Sequence, residues 1–218
     1  MKKKILSIAL IAALVAIAAM GTIAYFTDDE EVTNVMTFGK VDIELTEPAW
    51  DPEEDHVLVP GVAYPKDPTL TLTCDSLQSW VMMDVKVDSR LVALMAANED
   101  MTVEELMAEM VAHHTFREEI VNKWMADVDH EAWEVIGVKT TEDQLIVRLG
   151  YKTVFQPCDE VVFMTALTVP ATVNSEMVES LHLEEADIPE VTLGFQAYAV
   201  QAMPVDTLEE AAAVIPAL

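Results

Sequence analysis

The chain has 218 residues and a formal net charge of −27, because 39 acidic side chains outnumber 12 basic ones. A surface this acidic has no basic stripe with which to neutralise phosphates, which argues against binding to nucleic acid or to anionic membrane faces. Hydrophobic residues make up 52% of the chain, which argues against wholesale disorder. The length is sufficient for one medium-sized domain or two small ones.

The N-terminus has the three parts of a secretory leader. Lys2 to Lys4 form a basic start, Ile5 to Met20 form an apolar run, and small residues follow as far as Ala24. A permanent membrane anchor is the alternative, but an anchor needs about 20 apolar residues. We therefore predict a helical signal peptide over residues 1–24, cut before Tyr25. The membrane is then a partner only through the uncleaved leader, and the mature protein lies outside the cytoplasmic membrane.

The segment after the leader alternates as strands do, with one interruption. Four apolar residues before Gly39 share one parity: Phe26, Val32, Met36 and Phe38. Those after Gly39 fall on the other parity: Val41, Ile43 and Leu45. One extra residue turns every later side chain to the opposite face of a sheet, and glycine suits the bulge or bend that this requires. We predict two strand pieces joined at Gly39.

Residues 46–68 are rich in proline and acidic residues, and Pro60 with Gly61 marks a turn. Proline cannot donate a hydrogen bond to a sheet, so this stretch is predicted to be an edge or a connection. The segments TLTLTC and SWVMMDVKVDS then alternate as half-buried antiparallel strands. Their predicted inward residues are Leu70, Leu72, Val81, Met83, Val85 and Val87.

The periodicity changes to that of a helix between residues 90 and 126. Residues at helical spacing are Val103, Leu106, Met107, Met110, Val111 and His114. Thr102 and Glu105 have the spacing of a capping box, which marks the start of a helix. We predict one or two helices, inserted between strands at about residues 91–126.

The rest of the chain returns to strands. WEVIGVKTTEDQLIVRLGYKTVF predicts a hairpin about its polar TTED turn, and EVVFMTALTVPATVN predicts a further strand that ends at Pro170. SEMVESLHLEEADIPE fits a short helix or an extended loop, and VTLGFQAYAVQA predicts the last strand. Residues 206–218 are a predicted tail whose short helix is capped by Thr207. The pattern as a whole predicts a mainly β protein, an antiparallel β-sandwich over residues 39–205 with a helical insertion.

Cys74 and Cys158 are the two cysteines, and an extracellular protein with this number can form one disulfide across a long loop. Two unpaired buried thiols are the alternative, because the sequence does not show whether the two Cα atoms come within about 7 Å. Sequence alone leaves both alternatives open.

No catalytic constellation emerges from the motifs. His113 and His114 are adjacent, so on a helix they point about 100° apart and do not form an i, i+4 pair of metal ligands. The other histidines are isolated: His56, His130 and His182. The acidic clusters at Asp28 to Glu31 and at Asp51 to Asp55 lack the alternating carboxylates and central glycine of an EF-hand loop. We predict no enzymatic activity, no metal site and no cofactor.

Two stretches resemble the TasA and camelysin family of secreted proteins of Gram-positive bacteria: AYFTDDEEVTNVMTFGKVDIEL and LVPGVAYPKDPTLTLTCDSLQSWVMMDVKV. The family's A-x-F-T/N-D element is matched at Ala24, Phe26, Thr27 and Asp28. Its F-x-x-G-x-[LVI]-D-[LI] element is matched at Phe38, Val41, Asp42 and Ile43. Its PG-x-x-x-x-K-x-[FP] element is matched at Pro60, Gly61, Lys66 and Pro68. Gly39 follows Phe38 directly, where the family often spaces the two more widely. The resemblance in sequence covers residues 1 to about 90. After residue 90 only the pattern of predicted strands and helices is similar.

This resemblance implies a jelly-roll sandwich and a role as a fibre subunit of the biofilm matrix. It implies a leader removed by a dedicated signal peptidase and a freed segment, residues 25–38, that is donated as a strand to the next subunit. The assembly residues would then be Phe26, Val32, Met36, Phe38 and Gly39. The implied partners are further copies of the chain in a head-to-tail fibre, the signal peptidase and an accessory matrix protein.

Two other functions remain open at this point. A monomeric adhesin or binding module at the cell surface would pair the first strand within its own domain. Some members of the family are described as metallopeptidases, an activity that needs a ligand cluster built from distant His and Glu residues, and no motif of this chain supplies one.

The leader makes the first testable prediction. We expect secreted protein to begin near Tyr25, because the basic, apolar and small-residue segments follow the order of a cleavable signal peptide. Intact-mass measurement of protein from the culture medium checks this. A secreted species that retains residues 1–20 would contradict it.

Overall fold

The computed structural model describes residues 27–29, 40–51, 57–180 and 191–218, with the side chains of 27–29 and of Ser180 left out. In these ranges the protein is mainly β, with three antiparallel sheets and a few helices, which confirms the predicted class. None of the helices described there is long and apolar enough to span a membrane. The predicted signal helix and the bend at Gly39 lie outside the described residues.

The largest sheet has five strands. They are β1 (Thr27–Asp29), β5 (Ser79–Asp88), β7 (Trp133–Thr140), β8 (Gln144–Tyr151) and β11 (Leu193–Gln201). Their order across the sheet is β1-β11-β5-β8-β7, so β5 is central and the predicted hairpin forms the β7–β8 end.

Two smaller sheets have three strands each. One contains β2 (Ile43–Thr46), β4 (Thr69–Leu72) and β9 (Glu160–Val162), in the order β2-β4-β9. The other contains β3 (Ala63–Pro65), β6 (Met125–Ala126) and β10 (Ala166–Thr168), in the order β3-β10-β6. The single strand predicted for EVVFMTALTVPATVN is wrong, because the chain turns inward at the buried residues Phe163 and Met164 and its two halves join different sheets.

Five helices complete the described chain. They are α1 (Ser89–Asn98), α2 (Val103–Ala112), α3 (His114–Trp124), α4 (Ser175–Ser180) and α5 (Leu208–Ala212). The capping box of Thr102 and Glu105 is present at the start of α2, and the Thr207 side chain caps α5 by accepting a hydrogen bond from the Glu210 N–H. The first three helices occupy the predicted insertion, although the sequence predicted one or two helices there.

The predicted helical face ends earlier than expected. Leu106 is fully buried, but the backbone becomes extended at His113, with φ −125° and ψ 101°, and a new helix begins there. Val111 is consequently 67% exposed, and the His114 side chain is 64% exposed. These two residues therefore do not continue the buried face on which Leu106 lies.

The inner face of the five-stranded sheet carries the main core. The predicted alternation on β5 is confirmed, since Val81, Met83, Val85 and Val87 all belong to one buried cluster. That cluster also includes Leu70 and Leu72 of β4, residues of β11 such as Ala199, and residues of the three inserted helices. One core thus joins all three sheets to the helical insertion.

The outer face of the same sheet is covered by the C-terminal segment. Met82 and Tyr198 of the sheet pack with Leu208, Ala211 and Ile215 in a second buried cluster. The indole N–H of Trp80 donates to the Val205 carbonyl at 3.1 Å. The predicted tail is therefore an integral part of the domain.

Cys74 and Cys158 form a disulfide, with their Cα atoms 4.4 Å apart and a sequence separation of 84. Cys74 lies in the turn after β4, and Cys158 lies in the turn before β9. The bridge therefore links the two turns that adjoin a pair of hydrogen-bonded strands.

A buried ion pair lies on the outer face of the sheet. Asp84 and Arg148 are 3% and 6% exposed, and the guanidinium meets the carboxylate with two hydrogen bonds of 2.6 and 2.7 Å. The Tyr198 hydroxyl donates to the same carboxylate at 3.1 Å, and Arg148 donates to the Pro216 carbonyl at 2.7 Å. This network connects three strands with the C-terminal segment.

We expect Arg148→Leu to lower the free energy of unfolding by about 3–5 kcal/mol, because it leaves Asp84 buried without its counter-charge. Arg90→Leu is the matched control, since Arg90 forms an ion pair of the same type with Asp88 but its side chain is 40% exposed. That loss should be about 1 kcal/mol or less. Urea denaturation of both variants measures the difference, and equal losses would contradict the assigned role of burial.

Candidate functional site

One edge of the five-stranded sheet is formed by the N-terminal strand. Strand β11 pairs with β5 along all nine residues from Leu193 to Gln201. On its other side β1 pairs with it over three residues, Thr27 opposite Val200, Asp28 opposite Ala199 and Asp29 opposite Tyr198. These three are the residues of β1 that the structure describes, and each of them is paired with β11. We call β1 and β11 together the N-terminal edge.

The opposite edge has features that oppose strand addition. Strand β7 ends the sheet in the part of the chain that the structure describes, and its pairing with β8 is interrupted by an irregularity between Val135 and Gly137. The exposed Lys139 lies on the same strand. Bulges and edge lysines are the usual means by which proteins block edge-to-edge pairing. The two edges therefore differ in their capacity to accept a further strand.

The loop that carries the PG-x-x-x-x-K element packs against β11. Lys66 is only 4% exposed and forms an ion pair with Glu47 at 2.8 Å. Its ammonium group lies 4.2 Å from the ring centroid of Trp50 and 5.5 Å from that of Phe195 on β11. Lys66 thus fixes two segments of the 46–68 loop beside the N-terminal edge.

Most sequence-predicted site residues lie outside the described ranges. These are the cleavage residues Ala24 and Tyr25 and the assembly residues Phe26, Val32, Met36, Phe38 and Gly39. The strand of residues 27–29 is the part of the predicted donor segment that the structure describes, and it is paired within its own chain.

The described histidines have local partners. The His113 ring lies 3.5 Å from Glu109, and the His114 ring lies 3.2 Å from Glu118, each on its own helix. His130 contacts the Asn122 amide at 3.1 Å, and burial lowers the pKa of its imidazole and so favours the neutral form. Within the described ranges no three His, Cys, Asp or Glu side chains converge as a metal site would require.

Sequence reasoning missed an apolar cavity of about 550 Å³ between the helical insertion and the inner face of the large sheet. Its lining includes Trp124 at the end of α3 and Trp133 at the start of β7. No local motif marks it, because its walls come from segments far apart in the sequence.

Comparison with known proteins gives no match: no family model, no curated protein and no solved structure is similar to this chain.

We expect Glu105→Ala, His113→Ala and His114→Ala to leave casein hydrolysis at the background level, with or without added zinc. Each side chain is already bonded to a partner within one helix turn of its own element. Glu105→Ala should also lower the free energy of unfolding by about 1 kcal/mol, because it removes the capping box. A zinc-dependent proteolysis that any of the three substitutions abolishes would overturn this prediction.

Proposed function

We propose that the protein is a secreted structural subunit of extracellular matrix fibres, which polymerises by donating its N-terminal strand to the next subunit. The observation that carries the proposal is the position of Thr27–Asp29 at the N-terminal edge, held there by three residue pairs. The resemblance of residues 1 to about 90 to TasA-type proteins supports the same function.

Exchange of this strand needs no new type of contact. The segment that pairs with β11 of its own chain can form the same main-chain hydrogen bonds with β11 of a neighbour. The two copies then use different surfaces, so the contact does not close on itself and generates a filament. The hydrogen bonds that the strand loses when it leaves its own β11 are replaced by the same bonds to the neighbour's β11.

The observed register defines the intermolecular pairing that we expect. If the donor strand keeps the register that places Thr27 opposite Val200, Val32 falls opposite Phe195 and Met36 falls opposite Val191. Phe195 and Val191 both pack against the main core. The apolar parity of the donor segment would therefore face the core of the acceptor.

A jelly-roll β-sandwich preceded by a signal helix belongs to the same proposal. Three antiparallel sheets that share one core support the sandwich. The basic and apolar N-terminal sequence supports the leader.

A monomeric surface module is the second candidate function. It is favoured by the pairing of β1 within its own chain, which is how such a module would keep its first strand. Cell-surface adhesion would then use other parts of the molecule, such as the acidic loop at residues 46–68 or the helical insertion.

The test uses protein that begins at Tyr25 and carries Val32→Asp, Met36→Asp and Phe38→Asp together. Charges at inward-facing positions should cost several kcal/mol in desolvation, so we expect filaments to be lost. The thermal unfolding transition, followed by circular dichroism, should be retained because the core beyond residue 40 is untouched. Negative-stain electron microscopy scores the filaments.

The matched control carries Thr33→Asp, Val35→Asp and Thr37→Asp, which add the same charge on the opposite parity. These side chains should face solvent in the donor strand, so this variant should still polymerise. If the inward triple variant forms filaments, or loses them only because the domain unfolds, the monomeric module becomes the better function.

A further inference from the structure

The cavity beneath the helical insertion is too large to be a packing defect. It lies between helices α1 to α3 and the inner face of β5, β7 and β8, with a volume of about 550 Å³. Protein interiors are packed as densely as organic crystals and hold few voids larger than a water molecule. Ligand pockets have volumes of roughly 300–1,000 Å³. The cavity therefore has the size of a site for a small molecule.

The walls of the cavity are apolar and adaptable. Its floor includes Val147 and Leu149, which point inward from β8 but are only half-buried, and Val138 at the rim is 42% exposed. Four methionines line it: Met95, Met107, Met110 and Met125. Methionine side chains adjust to irregular apolar shapes and are common at sites that accept hydrocarbon. Solvent therefore reaches the cavity as far as Val147 and Leu149. The apolar, adjustable lining matches the shape and chemistry of a long hydrocarbon chain.

Two buried hydrogen-bond donors in the lining lack acceptors. Trp124 and Trp133 are 0% and 4% exposed, and both line the cavity. Neither indole N–H has a hydrogen-bond partner among the residues that the structure describes. A buried indole N–H normally finds an acceptor. Both indole nitrogens are themselves fully enclosed, so the two rings contribute apolar wall to the cavity and no hydrogen bond to its contents.

Two cations of the lining also lack carboxylate partners. Arg117 donates to the Met110 carbonyl at 3.3 Å, and Lys152 donates to the Glu131 carbonyl at 2.7 Å. Across the described ranges neither is within ion-pair distance of an acidic side chain, in a chain with 39 acidic and 12 basic residues. Five of the other described cations, at positions 40, 66, 90, 123 and 148, do have such partners. Arg117 and Lys152 are therefore available to an anion.

The other charged groups of the lining restrict where an anion can sit. Glu134 is exposed on β7, and His114 is bonded to Glu118 outside the lining at 3.2 Å. His130 lies next to Lys152, which donates to its carbonyl at 3.3 Å. An anionic head group is therefore expected beside Arg117 and Lys152.

We propose that this cavity binds a long-chain fatty acid. The hydrocarbon chain occupies the space between the methionines and the floor of the sheet. The carboxylate provides the negative charge that Arg117 and Lys152 lack. This inference does not depend on fibre formation, since a fibre subunit and a monomeric module would both contain the site.

The binding test titrates the full chain with cis-parinaric acid, a fluorescent fatty acid, and displaces it with oleate. We expect one saturable site per chain and quenching of tryptophan fluorescence, because two of the four tryptophans line the cavity. Oleyl alcohol has the same chain without the charge and should compete roughly tenfold less well. Every variant below retains the apolar N-terminal sequence, so adventitious binding to that segment is common to all of them.

Substitutions in the cavity then locate the site. Val147→Phe fills the floor and should weaken binding more than roughly tenfold, with a melting temperature equal to that of the unmodified chain or higher. Val138→Trp, at an exposed position of the rim, is the second blocking variant in case Val147→Phe does not fold. Arg117→Ala and Lys152→Ala should each weaken binding roughly tenfold. Lys139→Ala is their control, because Lys139 is an exposed cation on β7 outside the lining.

Absence of saturable binding overturns the proposal, as does binding of oleate by both folded blocking variants with the affinity and stoichiometry of the unmodified chain. Equal competition by oleate and oleyl alcohol, or equal effects of Lys139→Ala and Lys152→Ala, overturns the assignment of a carboxylate to this site. Loss of binding in the blocking and charge variants, with Lys139→Ala unchanged, supports it.

Discussion

Strand β5 is buried on both faces, and the rest of the structure depends on how those two faces are satisfied. Its inner face is aliphatic and packs into the main core. Its outer face carries Asp84, a carboxylate that is 3% exposed and needs a counter-charge. Arg148 lies directly opposite on β8, and Tyr198 reaches the same carboxylate from β11. A shift of either neighbour by one residue would separate these groups, so the buried charge helps to specify the register of the central strands.

The C-terminal segment covers the outer face of the sheet at β5. The Pro216 carbonyl accepts a hydrogen bond from Arg148, while Leu208 and Ile215 cover the apolar part of the outer face. β-Strand addition requires the unpaired main-chain groups of an edge strand, so the two edges of the sheet are the places to compare. The bulge and lysine on β7 oppose addition there, whereas β1 already shows that β11 accepts a short strand. The proposed assembly mechanism follows from this difference between two edges.

The helical insertion covers the inner face of the sheet less completely than the C-terminal segment covers the outer face. Three helices cover the inner face, but they leave a cavity over β7 and β8 where a tightly packed core would have none. The proposed assembly site at the N-terminal edge would use main-chain hydrogen bonds, which are indifferent to side-chain identity. The proposed fatty-acid site would use apolar volume and two cations. The two proposed sites differ in chemistry and lie toward opposite ends of the strand order of one sheet, so each can be tested without the other.

The sequence by itself determined the mainly β class, the inward residues of β5, the β7–β8 hairpin and the caps at Thr102 and Thr207, because these depend on periodicity and on neighbours within a few residues. It failed at Val111 and His114, where the backbone turns at His113, and at the strand that divides between β9 and β10. Only the tertiary structure decided that Cys74 and Cys158 are bonded, that Asp84 meets Arg148, and that Trp124, Trp133, Arg117 and Lys152 surround one cavity. These contacts join residues far apart in sequence, and their formation depends on how the sheets and helices pack against one another.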